Sequence, residues 1–133
     1  MDADAALADL TEISSQVETA AVFGAAGPAL ASTFADDALA QRLVDAARGL
    51  LVAAEELPIG AGRTLTQLEV ALREGSVFVV RDGDGAVAAT TAPSPTAGLV
   101  LYDLRSCLRA LESAPAAEPA KPRRRRPRKT ADA

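Results

Sequence analysis

Apolar side chains recur at two spacings along this chain, and the switches between them mark its elements. From Ala3 to Gln16 the spacing is helical: Leu7, Leu10, Ile13 and Val17 fall at three- and four-residue steps and form one narrow stripe. Asp2 or Asp4 is placed to cap the start, where free N–H groups and the helix dipole favour a carboxylate. Glu18–Gly24 (ETAAVFG) and Ala29–Phe34 (ALASTF) then read as two short strands. Gly27-Pro28 between them stops any helix, because proline lacks an N–H and disfavours helical geometry at the residue before it. A hairpin is the economical connection.

After Asp36-Asp37, a second cap, the longest helix is predicted from about Ala38 to Glu56. Its apolar positions are Leu39, Leu43, Ala46, Ala47, Leu50, Leu51, Ala54 and Leu57, with Val44 and Val52 beside them. That arc is wider than one sheet requires. About 19 residues rise ~28 Å, enough to cross a small sheet and still offer a second face. Arg42, Asp45, Arg48 and Glu55 are expected on the solvent side.

The period then changes to two. Leu65–Leu72 alternates Leu68, Val70 and Leu72 with Gln67, Glu69 and Ala71, the pattern of a strand with one buried face. Ser76–Arg81 and Ala86–Thr91 continue an antiparallel meander through Arg73-Glu74-Gly75 and Asp82-Gly83-Asp84-Gly85, both strong turn chemistry. A last helix, about Leu99 to Glu112, carries the stripe Leu101, Leu104, Leu108 and Leu111, with Asp103, Arg105 and Arg109 facing away and Cys107 beside it. The expected fold is α/β (α+β): one five-stranded antiparallel sheet flanked by three helices, in the order αββαβββα.

Charge divides the chain in two. Residues 1–113 hold 7 Arg and no Lys against 16 Asp and Glu, whereas 114–133 hold 7 basic residues against 2 acids. The first is read as one folded domain and the second as a disordered, proline-rich basic tail, since apart from its four prolines it has no apolar residue larger than Ala to bury. The tail residues Lys121, Arg123, Arg124, Arg125, Arg126, Arg128 and Lys129 are candidates for contact with a polyanion, nucleic acid or anionic lipid. No aromatic residue interleaves them, so base stacking is not indicated.

With 3% aromatic residues, the core must be built from Leu, Val and Ala. There is no histidine, which removes the commonest general base and metal ligand. One cysteine allows neither an internal disulfide nor a zinc site. The acidic N-terminus does not resemble a secretory signal, and no apolar run approaches a membrane span, so a cytoplasmic protein is expected. Asp82-Gly-Asp-Gly85 fails as a calcium loop because the twelfth position is Pro93. Gly24-Ala-Ala-Gly27 and Gly60-Ala-Gly62-Arg-Thr64 lack the Gly-Lys-Ser/Thr of a phosphate loop. The serines have no histidine to activate them. No catalytic, metal or cofactor residue is assigned, and a non-enzyme is expected.

The order and wording of the segments resemble the Roadblock (dynein light chain) family, in particular its bacterial branch of small-GTPase regulators, over about residues 5–112. The carriers are LADLTEISSQ running into ETAAVFGAAGPALAST, the helix ALAQRLVDAARGLLVAAEEL, and the stretch from LTQLEVALREGSVFVVRDGDG to LYDLRSCLRAL. The family often places Asp-Gly at the first hairpin, where this chain has Gly24-Ala-Ala-Gly27. The resemblance implies a Roadblock/profilin-like sheet with the long helix on one side and the terminal helices on the other. It also implies a homodimer, in which the long helix and third strand meet their mates, and a Ras-like GTPase as partner.

Two readings agree with the dimer independently: the wide apolar arc of the long helix, and an edge strand left unprotected unless something pairs with it. The candidate dimer or partner interface is Leu39, Arg42, Leu43, Ala46, Leu50, Leu65, Gln67 and Glu69. Arg42 and Arg48 are candidates for reaching a bound nucleotide, ranked below simple surface contact. The alternative function is a structural adaptor acting through its basic tail. A small-ligand sensor is disfavoured by the scarcity of polar or aromatic residues on the inner faces.

Overall fold

Asp2 settles where the first helix begins. Its carboxylate accepts from the Ala5 N–H at 2.8 Å and caps α1, Ala3–Ile13. The helix stops three residues before Gln16, because Ser14 turns extended and its Oγ accepts from the Gln16 and Val17 N–H groups. Its buried stripe is Ala6, Leu7 and Leu10, while Ile13 is 70% exposed and Val17 already belongs to β1, Val17–Phe23. The computed structural model describes residues 1–58 and 67–112.

The predicted second strand shrinks to β2, Ala31–Ser32. Past it, Thr33 still bonds to Ala20, and the Ser32 hydroxyl closes a local turn onto Phe34. Asp36 then caps α2, Asp37–Glu55, through the Ala38 N–H. β3 (Gln67–Ala71), β4 (Ser76–Asp82) and β5 (Gly85–Thr91) form the expected meander. Gly83 takes φ +63° in the two-residue β4–β5 turn, which only glycine adopts freely. α3, Ala97–Glu112, starts two residues before the predicted point.

Among the described residues, five strands form one antiparallel sheet in the order β2-β1-β5-β4-β3. Alternation along each strand sends side chains to two separate cores. Ala20, Val22, Phe78, Val80, Val87 and Ala89 pack under α1 and α3 with Leu7, Leu10, Val100, Leu104 and Leu108. Ala21, Phe23, Val79, Ala86 and Ala88 pack under α2 with Val44, Ala47 and Leu51. Each core holds one fully buried phenylalanine, Phe78 or Phe23. Burying a side chain of that kind contributes about 1.5–3 kcal/mol.

Two positions on α3 differ from the sequence reading. Asp103, expected to face away from the stripe, is 8% exposed against α1. Cys107, expected beside the stripe, lies in the core and donates its thiol to Ala6 O. The helix starts early and is rotated toward α1, so Val100 and Cys107 take the central places expected for Leu101 and Leu111.

Candidate partner interface

α2 presents two apolar faces. Ala40, Val44, Ala47 and Leu51 are buried against the sheet, where the helix lies mainly over β1 and β5. At the 100° rotation per residue of a helix, Leu39, Leu43, Ala46 and Leu50 fall together on one flank of that buried stripe, continued by Ala53 and Leu57. Leu39 and Leu57 are 44% and 51% exposed, Ala46 and Ala53 are exposed, and Leu43 and Leu50 are half-buried. Arg42 stands exposed at the edge of this strip.

The opposite flank is fastened down. Gln41 Oε1 accepts from the Ala29 N–H, and Glu55 pairs with Arg81 of β4. Arg48 donates from Nη1 to Gly27 O at 2.8 Å and from Nη2 to Gly24 O at 2.9 Å, with its guanidinium 5.4 Å from the Phe23 ring centre. Arg48 is therefore half-buried rather than fully on the solvent side, with both ends of its fork engaged on the loop after β1. The Leu39–Leu50 flank is turned the other way. There, half-buried Leu43, Leu68 and Val77 pack against one core cluster.

β3 is the outer strand on this side, and among the described residues its outer edge has no partner. Leu68 and Val70 pair with Val79 and Val77, so they share the face that carries α2. Gln67 and Glu69 pair with Val80 and Phe78 and lie on the opposite face, toward α1 and α3. The structure thus brings Leu39, Leu43, Ala46 and Leu50 into one strip continuous with Leu68, Val70 and Val77. Gln67 and Glu69 stand behind the sheet from that strip, though still on its free edge. Leu68, Val70 and Val77 were absent from the expected interface; the signal was the alternation itself, which assigns apolar and polar positions to opposite faces. Leu65 and the tail residues 121–129 lie outside the described residues.

No cluster of His, Cys, Asp or Glu suited to a metal occurs among the described residues, and none of their helices is long and apolar enough to cross a membrane. The Cys107 thiol is pushed up to about 11 by burial and then by the charge of Asp9, opposite to the depression that makes a cysteine reactive.

The fold has close counterparts. A Roadblock/LC7 domain from Streptomyces avermitilis superposes with a TM-score of 0.74 at 17% identity, covering 84% of this chain and 96% of that one. The gliding protein MglB from Thermus thermophilus gives 0.58 at 15% identity, over 80% and 83% of the two chains. MglB in a tetrameric arrangement gives 0.59 at 15% identity, over 80% and 82%. No curated protein matches the sequence. The family model for the Roadblock/LC7 domain matches residues 4–92, from α1 through β5 and the loop after it, and the chain belongs to that family.

Proposed function

We propose that this Roadblock/LC7 domain is a non-catalytic homodimer that binds a Ras-like small GTPase and regulates it or scaffolds its position. The observation that carries the reading is the apolar strip of α2 running onto half-buried Leu68, Val70 and Val77 of β3 and β4, next to a β3 edge that has no partner among the described residues. An apolar strip and a free edge side by side are what a twofold contact covers: helix meets helix, and strand meets strand. MglB in its tetrameric arrangement supports self-association of this fold. The resemblance to the bacterial branch of small-GTPase regulators supplies the class of partner.

Joining two copies along α2 and β3 would give a continuous ten-stranded sheet with two helices across its centre. Such a rigid platform can select one conformation of a GTPase's switch segments and so act by ordering them. That route needs no inserted arginine. It also fits Arg48 being tied to its own loop, and leaves exposed Arg42 as a contact at the rim of the platform.

The test is affinity capture from the native cell with the immobilised domain, comparing a GTP analogue with GDP. The expected result is a Ras-like GTPase that is retained preferentially in one nucleotide state and rebinds when purified. Retention of no GTPase in either state would overturn the reading.

A further inference from the structure

The layer opposite α2 carries a groove that the dimer does not use. It lies between α1 and α3, has a volume of about 250 Å3, and is floored mainly by apolar groups of Leu10, Ile13, Tyr102 and Ala110. Ile13 and Tyr102 are 70% and 59% exposed, high values for large apolar surfaces facing one depression. Exposed Asp9 and buried Asp103 line it, and the α1 segment adds Asp2 and Glu12 without a single basic residue, while Asp4 lines a separate cleft beside β2 and α2. Arg105 and Arg109 of α3 line a different cleft, with β4.

We propose that this groove is the docking site of the chain's own basic segment, residues 121–129. The charges are complementary: KPRRRRPRK carries seven positive charges and no acid, while α1 is acidic along its whole length. The apolar floor suits the same segment, because proline rings and the stems of arginine and lysine cover apolar surface, and a guanidinium stacks on an aromatic ring such as Tyr102. The chain length also fits. α3 ends at Glu112, and the stretch from there to Lys121 can span roughly 30 Å. The groove's Ser106 lies six residues back along the helix, about 9 Å. Tethering makes the contact intramolecular, so weak charge pairs suffice at an effective concentration in the mM range. Docking would hide the tail's cations from other polyanions until a stronger one displaced it. The proposal does not depend on the GTPase reading.

The sequence offers a direct probe, because Lys121 and Lys129 are its only lysines. Treating the full chain with a zero-length carbodiimide joins their amines to touching carboxylates. Mass spectrometry of a mixture of light and heavy isotope-labelled protein separates links within a chain from links between chains. Links within one chain to Asp9 and Glu12 are expected. They should fall at least about threefold as salt shortens the screening length from about 10 to about 3 Å. The exposed double variant Asp9→Asn/Glu12→Gln should lose the α1 links, lower the total yield and keep the parent's melting temperature. Links spread over Asp36, Asp37, Asp45 and Glu74 according to exposure would overturn the proposal. So would links found only between chains, or a total yield unchanged in the double variant.

Discussion

Arg48 reaches back 21 residues from α2 to Gly27, donating to its carbonyl at 2.8 Å while its second Nη holds Gly24 O at 2.9 Å. Gly27 has φ +87°, so the loop is built in a conformation that most residues avoid and is then fixed from the helix above it. Arg48→Ala is expected to cost about 1–3 kcal/mol in urea unfolding, because two carbonyls lose charge-assisted donors. Arg48→Lys should recover less than half, since an ammonium cannot reproduce the planar fork.

Gly75 and Gly49 should respond in opposite directions. A Cβ on Gly75 would collide with the Thr91 backbone carbonyl, which is fixed in the sheet, so Gly75→Ala is expected to destabilise by about 1–3 kcal/mol or more. A Cβ on Gly49 meets nothing within 4 Å on exposed α2. Gly49→Ala should therefore stabilise by about 0.5–1 kcal/mol through helix propensity. Thermal melts of the two variants check the pair.

Cys107 gives the fold an alkaline dependence of known sign. Its thiol rises from 9.0 to about 11 in the folded state, through burial first and the Asp9 charge second. Between those values the unfolded chain has released the proton that the folded chain retains. The stability contribution is therefore complete below about pH 9 and is lost as the pH climbs through about 11. The loss is at most about 2–3 kcal/mol, reduced by the screening that solvent gives a slightly exposed thiol. Urea unfolding across this range should show a steeper decline for the parent than for Cys107→Ala. The folded thiol should also resist alkylation at neutral pH until denaturant is added.

The α2 strip predicts the assembly state. Leu43→Asp and Leu50→Asp each place a carboxylate in the proposed contact, and both should shift the domain from dimer to monomer in light scattering. Reversing charge on the other flank, with Asp45→Lys, should leave the dimer intact. A parent protein that is already monomeric would contradict the proposed contact.

The fold was legible because its signals are periodic. The alternation of Leu68 and Val70 with Gln67 and Glu69, the Asp-Gly turn at Gly83 and the carboxylate caps at Asp2 and Asp36 all depend on neighbours in sequence. The width of the α2 arc likewise showed that the helix has a second apolar face. What escaped was set by distant groups. Arg48 reads as a solvent-side residue in a helical wheel, and only the return of the loop after β1 beneath it supplies Gly24 O and Gly27 O. Asp103 reads as outward-facing until α1 packs beside α3. On β3 the alternation in sequence already separates Leu68 and Val70 from Gln67 and Glu69, and the register with β4 adds which of the two faces carries α2.

The most direct test of the central claim is the affinity of the purified domain for the captured GTPase, loaded with a GTP analogue or with GDP, measured for the parent and for Leu43→Asp. The account predicts binding that differs at least about tenfold between nucleotide states, corresponding to ~1.4 kcal/mol, and is lost in the monomeric variant. Equal affinity in both states, undiminished when the dimer is broken, would contradict it.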